Sequence, residues 1–308
     1  MANDVANVSF DGLGTEIGLR IVVGNPDEFE RAKKDLEQAR GMYEKFSKVF
    51  SRFEAESNLT AVNNALGAFH DVPVEFVEIA SHCLEYYQKT DGVFDPRIIS
   101  TLEAVGYKGD FKKGNFKLAN SEKHDKQLVA LDQYLKIENN KVCFLRRMDF
   151  SGIAKGFITD KVAEFLKSKG WKNFLLDSGG DMFLSGVDQA GDAWRINVEG
   201  IPYEKMMFAL SGNGLATSGI SKRKWEINGQ KFHHLINPKK PESFLFDLKT
   251  VTVISKNTED ADVWAKTLFL MGKESAIMYA RENDLAAIVL GYDGRAWISP
   301  KAKEFLYI

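Results

Sequence analysis

At 308 residues the chain is long enough to bury the core of one large domain or two moderate ones, and its 44% hydrophobic and 27% charged content is that of an ordinary globular protein. A net charge of −2 and a pI near 6.3 give no global field that would draw nucleic acid or an acidic membrane surface. Two cysteines, Cys83 and Cys143, are too few for a disulfide framework and predict free thiols in a reducing compartment. No apolar run approaches the roughly eighteen residues of a membrane span. The first residues lack a basic segment followed by an apolar one, which predicts a cytoplasmic protein if the chain is full length and equally suits one trimmed of its leader.

In chain order, residues 16–23 read as a strand of β-branched and apolar residues closed by Gly24-Asn25. Pro26, Asp27 and Glu28 suit a first helical turn, and Phe29, Ala32, Leu36, Ala39, Met42 and Phe46 continue it at helical spacing to about Lys48. Phe76, Ile79, Ala80, Cys83 and Tyr87 repeat that pattern. From 107 to 147 the composition shifts, with six lysines between Lys108 and Lys126 among Gly, Asn and Asp, which predicts a solvated, loop-rich insertion. Next come a helix over 156–169, strands over 173–177, 182–185, 193–198 and 250–256, helices over 260–271 and 274–281, and a buried strand over 286–290. With no repeat or long linker, the chain reads as a single α+β domain over 1–308, its alternative being two lobes divided near 107–147.

Four segments break the amphipathic pattern. Asp149–Phe157 has small residues at Ser151, Gly152, Ala154 and Gly156 ahead of a helix, so a ligand can approach backbone there. Unpaired N–H groups at a helix start and the point charge of Lys155 suit a phosphate. Asp177-Ser178-Gly179-Gly180-Asp181 joins two short strands, its acids either meeting a ligand or bonding backbone. Leu215–Gly219 leads through Lys222 and Arg223 to His233-His234-Leu235-Ile236-Asn237-Pro238, where a histidine among hydroxyls and cations is an acid–base candidate. Ala261–Thr267 places Asp262 on an apolar helix with Lys266 one turn on, the spacing of a simple ion pair.

In their order and wording these segments resemble the ApbE family, the FAD:protein FMN transferases. The likeness runs from Leu13-Gly14-Thr15 through Phe50–Phe53, Ser57-Asn58-Leu59 and Asn63, then Thr90–Pro96, Asp149–Gly156, Asp177–Asp181, Ala216–Gly219, His233–Pro238 and Thr250–Gly272. It implies an ApbE-like fold of mixed sheets flanked by helices around one cleft. It further implies an enzyme that binds FAD and, with Mg²⁺, attaches the FMN half to a Thr or Ser of an acceptor protein, releasing AMP. Carried over, FAD contacts fall on Leu13, Phe53, Val93, Phe94, Asp95, Ser151, Lys155, Phe157, Leu235 and Ile236, with Phe53 and Phe94 as a buried pair on the flavin ring. Metal ligation falls on the carbonyl of Ala154 and the carboxylate of Asp262. His234 carries proton transfer, and Asp181 matches the second acid of the Gly-Gly-Asp turn.

Two departures stand inside those motifs. The family's His-x-x-Asp-Pro-x-Thr-Gly reads His234-Leu235-Ile236-Asn237-Pro238-Lys239-Lys240-Pro241, losing an acid, a hydroxyl and a glycine. Its metal-binding Asp-x-x-x-Thr reads Asp262-Val263-Trp264-Ala265-Lys266, with Thr267 one position late and so rotated by about 100° on a regular helix. Three readings stay open: a flavin transferase with an altered metal site, an FAD pyrophosphatase, and a flavin-binding accessory protein without catalysis.

Overall fold

The structure, a computed structural model, describes residues 4–109, 117–118, 129–202 and 205–307. Strands β1 (Asp4–Gly12) and β2 (Thr15–Val23) form a hairpin whose tight turn holds Leu13 and Gly14 at φ of +51° and +74°. Asn25 then accepts a hydrogen bond from the Glu28 amide and caps α1 (Pro26–Phe50). The chain continues through α2 (Asn58–Asn64), β3 (His70–Asp71), α3 (Val74–Lys89), α4 (Ile99–Ala104), the hairpin β4 (Leu135–Glu138) and β5 (Lys141–Phe144), and α5 (Ala154–Ser168). After it come β6 (Phe174–Asp177), β7 (Met182–Ser185), β8 (Trp194–Asn197), β9 (Met207–Leu210), β10 (Asn213–Gly219), β11 (Lys224–Ile227) and β12 (Gln230–His233). Strand β13 (Leu248–Ser255), α6 (Thr258–Met271), α7 (Lys273–Glu282), β14 (Ala286–Gly291), β15 (Ala296–Ile298) and α8 (Pro300–Lys303) close the series.

Eight strands make one antiparallel sheet in the order β1-β2-β6-β7-β10-β13-β14-β15. Both faces of this sheet are covered, and the sequence alternates accordingly. On β14, Ala287 and Val289 pack towards α6 and α7, while Ala286, Ile288 and Leu290 pack on the opposite side with Trp194 and Phe208 of the β8–β9 hairpin and Ala302 of α8. The first half of the helical layer is an aromatic core in which Phe46, Phe50, Phe76, Phe144, Phe150 and Phe157 meet edge-on, tilted or stacked. This is the α+β fold the sequence predicts, of mixed sheets flanked by helices. Two expectations need correcting. Strand β1 adds to the predicted elements; as an edge strand it has only Ala6 buried and lacks the full apolar alternation that marks a strand. The 107–147 segment is also more than a loop: Leu131, Leu135, Val142 and Phe144 are buried, and β3, β5 and β4 form a small sheet against α3. Its lysine-rich stretch falls mostly at 110–116 and 119–128, outside the described residues. Both cysteines are buried free thiols, and no helix among the described residues is long and apolar enough to cross a membrane.

What positions the later chemistry is the crossing of α5 and α6. A Cβ on Gly156 would stand 2.5 Å from Glu259 Cα and 2.7 Å from Thr258 O, both backbone atoms that cannot swing aside. The glycine therefore serves helix–helix approach rather than ligand access. Asp160, one turn further along α5, accepts from the amides of Thr258 and Glu259 at 2.8 Å each and satisfies the orphan donors at the start of α6.

Gly156→Ala is expected to lose roughly 1–3 kcal/mol by overpacking, although Gly→Ala inside a helix normally gains about 0.5–1 kcal/mol. Gly41→Ala supplies the contrast, since its Cβ would meet nothing within 4 Å on exposed α1 and should show that gain. Urea unfolding of the two variants measures both; equal stabilisation by the two would remove the tight crossing.

Candidate functional site

Six separate stretches converge beside the α5–α6 crossing. The β1–β2 turn reaches two of them: a Cβ on Gly14 would contact the Arg223 guanidinium at 3.5 Å, and a Cβ on Gly179 would overlap the Thr15 side chain. Asp181, buried, receives the Thr217 amide of β10 on Oδ1 at 3.3 Å and pairs through Oδ2 with Lys155 of α5. Asp177 at the other end of that turn accepts the Gly180 amide at 2.7 Å, so this acid bonds backbone. Beneath the turn, the hydroxyls of Tyr43, Ser178 and Thr159 form a buried network, with Thr159 donating to the Lys155 carbonyl. Burial pushes the Tyr43 phenol up to about 12, so it stays a neutral donor at this position.

The Asp149–Gly156 segment is set by buried polar contacts. Asn63 exchanges both side-chain hydrogen bonds with the Met148 backbone at 2.9 and 2.8 Å, which fixes the residue before Asp149. Asp149 accepts the Ser151 amide at 2.8 Å, and Arg52 lies 2.9 Å from its other oxygen as a buried charge contact. Helix α5 then starts at Ala154 with no side-chain cap, leaving its first amides to other partners. Gly152 makes room for a neighbour rather than for a ligand, since a Cβ there would overlap the Lys266 ammonium.

Asp262 and Lys266 do not form the helical ion pair their spacing suggests. Asp262 is 4% exposed with Oδ2 unpartnered, and among the described residues neither the Lys266 ammonium nor the Arg223 guanidinium has an acidic partner. Thr267 is fully buried on an unbroken α6 with its hydroxyl unpartnered. Lys155 feels all of these groups. Burial chiefly lowers its proton affinity, Asp262 and Asp177 raise it, and Lys266 and Arg223 lower it.

The two histidines part company. His233 sits among Phe244, Phe246 and Phe269, bonds the Leu245 carbonyl at 3.1 Å, and is driven down to about 4 chiefly by burial; it is structural. His234 faces Arg223: its amide and its Nδ1 both bond the Arg223 carbonyl, at 3.3 and 3.2 Å. A carbonyl only accepts, so Nδ1 carries the proton and Nε2 keeps its lone pair. Burial, then the Arg223 and Lys266 cations, hold His234 well below the ordinary histidine range. Asn237 donates to the Leu270 carbonyl at the end of α6 at 3.0 Å and accepts the Lys239 amide at 3.0 Å. An aspartate could not make the first bond.

Several site expectations change on this geometry. Phe157 is 1% exposed inside the aromatic core, edge-on to Phe46 and Phe50, so its ring offers no ligand surface. Phe94 is likewise a core residue, edge-on to Tyr86, and does not pair with Phe53. Phe53 is 50% exposed instead of buried, with the Arg52 guanidinium 4.1 Å from its centroid. Asp95 is occupied by Arg97, which holds both its oxygens at 2.7–3.2 Å. Lys155 is already paired with Asp181 rather than a free phosphate ligand. Val93 and Leu235 pack together with Ala261 and Trp264 of α6, Ile236 packs with Leu102 and Trp225, Leu13 is half-buried against the aromatic core, and Ser151 is exposed. Arg223 joins the site without having been singled out among the expected site residues; its signal in the sequence is the polar run before the His-His pair.

The chain is similar to proteins of one kind. It is 25% identical over 291 residues to an FAD:protein FMN transferase of Haemophilus influenzae, covering 91% of this chain and 82% of that protein. It is 24% identical over 286 residues to that of Escherichia coli K12, covering 84% and 81%. Its fold matches the Pseudomonas stutzeri flavinyl transferase ApbE in apo form with a TM-score of 0.83 at 22% identity, over 99% of this chain and 98% of that one. The ApbE protein of Thermotoga maritima matches equally, at 0.83 and 21% identity over 98% and 99%. The model of the ApbE family spans residues 13–289, from the β1–β2 turn that touches Arg223 to the last long strand of the sheet, and the chain belongs to that family.

Proposed function

We propose that this chain is an FAD:protein FMN transferase, acting as a single catalytic unit on FAD and an acceptor protein that presents a Thr or Ser hydroxyl. The observation that carries the reading is His234, a neutral imidazole with Nδ1–H tied to a carbonyl and Nε2 open, standing beside two cations that lack acidic partners among the described residues. That is a base next to a place for a polyanion. In the transfer the acceptor oxygen attacks the phosphorus of the FMN half, and its proton passes to Nε2 of His234. The bond from that phosphorus to the bridging oxygen breaks, and AMP leaves with the bridging oxygen. Negative charge grows on the phosphoryl oxygens and the leaving group, where fixed cations help most. Of the first α5 amides Ala154 already donates to the Phe150 carbonyl at 2.8 Å, and those of Lys155 and Gly156 suit phosphate oxygens. Exposed Phe53, backed by Arg52, offers a face on which a flavin ring can stack.

The residues do not fit a resident Mg²⁺ ion. That ion takes six oxygen ligands in a near-ideal octahedron, usually with one or two carboxylates. Among the described residues Asp262 is the one buried carboxylate with an oxygen that has neither a hydrogen bond nor an ion pair, and the residue one turn on is an ammonium instead of a hydroxyl. Among the described residues no group of three or more His, Cys, Asp or Glu is arranged so that it could hold a metal ion.

The test is incubation with FAD and a flavin-acceptor protein, read by in-gel flavin fluorescence on the acceptor and by AMP release. Transfer is expected; AMP release equal with and without acceptor would instead mark a pyrophosphatase, and tight FAD binding without turnover an accessory protein. His234→Gln should lower the transfer rate by about 10²–10⁴ while leaving FAD affinity near that of the parent.

The pH profile supplies a second check. An imidazole held well below its ordinary value in the empty site stays unprotonated as pH falls through the usual histidine range, so kcat/KM for FAD, which reports the free enzyme, should stay level between pH 8 and 6.5 and fall only on further acidification. A half-maximal point of kcat/KM at about 6.5 would mean that neither burial nor the Arg223 and Lys266 cations depress His234 in the empty site.

A further inference from the structure

The proposed reading leaves the countercharge for the pyrophosphate to be found, and we infer that Lys266 supplies it in place of a divalent cation, so that FAD binds equally well with and without metal. The inference rests on FAD being the ligand. Three observations carry it. Lys266 is half-buried on the face of α6 that also bears Asp262, yet among the described residues it has neither a hydrogen bond nor an ion pair. Its ammonium lies against Gly152, in the loop that ends at the uncapped start of α5, in the space a side chain at 152 would fill. And Asp262, the carboxylate that would anchor a cation, keeps one buried oxygen unpartnered with that ammonium nearby on the same helix.

A half-buried cation that makes no hydrogen bond or ion pair among the described residues is costly unless a ligand offsets the charge. Arg223 is in the same condition on the opposite side, against Gly14. With Lys155 they make three cations, met by Asp181, which pairs with Lys155, and by the carboxylates of Asp262 and Asp177. A divalent cation entering beside Asp262 would meet the Lys266 ammonium, whereas a phosphoryl oxygen would find that ammonium without a hydrogen bond or ion pair among the described residues. The Lys266 ammonium can donate up to three hydrogen bonds to phosphoryl oxygens, and Asp262 keeps it oriented by attraction across the helix face. Gly152 leaves the room this needs, since a Cβ there would overlap the ammonium.

The experiment measures FAD affinity of the whole protein by flavin-fluorescence titration, in EDTA and in millimolar Mg²⁺, with riboflavin as the ligand lacking phosphates. The parent should bind FAD with the same Kd in both buffers, within about twofold. Lys266→Met keeps the length and loses the charge; it should weaken FAD by about 10- to 100-fold and riboflavin hardly at all. Lys266→Thr, which restores an oxygen ligand beside Asp262, should bind FAD weakly in EDTA and recover with Mg²⁺. Mn²⁺ electron paramagnetic resonance gives a direct readout: no tight Mn²⁺ in the parent, with or without FAD, and retained Mn²⁺ in FAD-loaded Lys266→Thr. Parent binding that needs Mg²⁺, or equal weakening of FAD and riboflavin in Lys266→Met, overturns the inference and leaves the transferase reading standing. No FAD binding in either buffer would overturn both.

Discussion

The contact on which the rest depends is the crossing of α5 over the first turn of α6. Gly156 lets the two backbones meet, and Asp160 locks the crossing by accepting both leading amides of α6. Once residue 259 is fixed against residue 156, the helical period sets the placement of every later residue on α6. Positions three and seven further along return to the same face, which brings Asp262 and then Lys266 back over the loop that precedes α5. Gly152, four residues ahead of Gly156, is what Lys266 meets there. A single close approach thus sets the register between the loop that can receive phosphate and the residues that can neutralise it.

The second wall is organised differently, by backbone instead of packing. His234 and Arg223 are tied through one carbonyl that takes both the amide and the ring of the histidine, so the base and the cation move as one piece. Asn237 secures the far end of the same segment on the last turn of α6, where carbonyls lack helical partners. Viewed as a lost acid, Asn237 looks like damage to a catalytic motif. As a donor to Leu270 it is a structural tie that an aspartate could not make, and it attaches the His234 loop to the helix that carries Lys266.

How much of this is legible in the sequence depends on the range of each interaction. Amphipathic helices such as α1, α3 and α6 are legible to within a few residues, because a 3.6-residue apolar period is a local signal and both Asn25 and Asn257 cap by their own side chains. Strands β6, β7 and β14 are legible as short apolar runs beside glycines. The glycines themselves mislead: Gly152 and Gly156 look like room for a ligand, and their real neighbours, Lys266 and Glu259, lie more than a hundred residues away. The same limit hides the pairing of Lys155 with Asp181 and the burial of Phe157, since a motif names residue types but not the direction a side chain takes. Asp95 is the contrary case. Its partner Arg97 is two residues along, and the pairing is open to view.

On the proposed reading the electrostatics of the site also change during the reaction. Arg223 and Lys266 depress the basicity of His234 while they stand unpaired. A bound pyrophosphate cancels that field, so the proton affinity of Nε2 rises when the acceptor hydroxyl must be deprotonated, and the proton is held more firmly once taken. When AMP departs with part of the negative charge, the cations regain their influence and the imidazole loses its proton more readily to solvent. Burial alone would lower the histidine equally at every stage; only nearby cations that the substrate itself neutralises can make the base stronger in the loaded site than in the empty one. The arrangement of two unpartnered cations around one carbonyl-tied imidazole thus couples substrate binding to base strength through charge, with no movement of the backbone required.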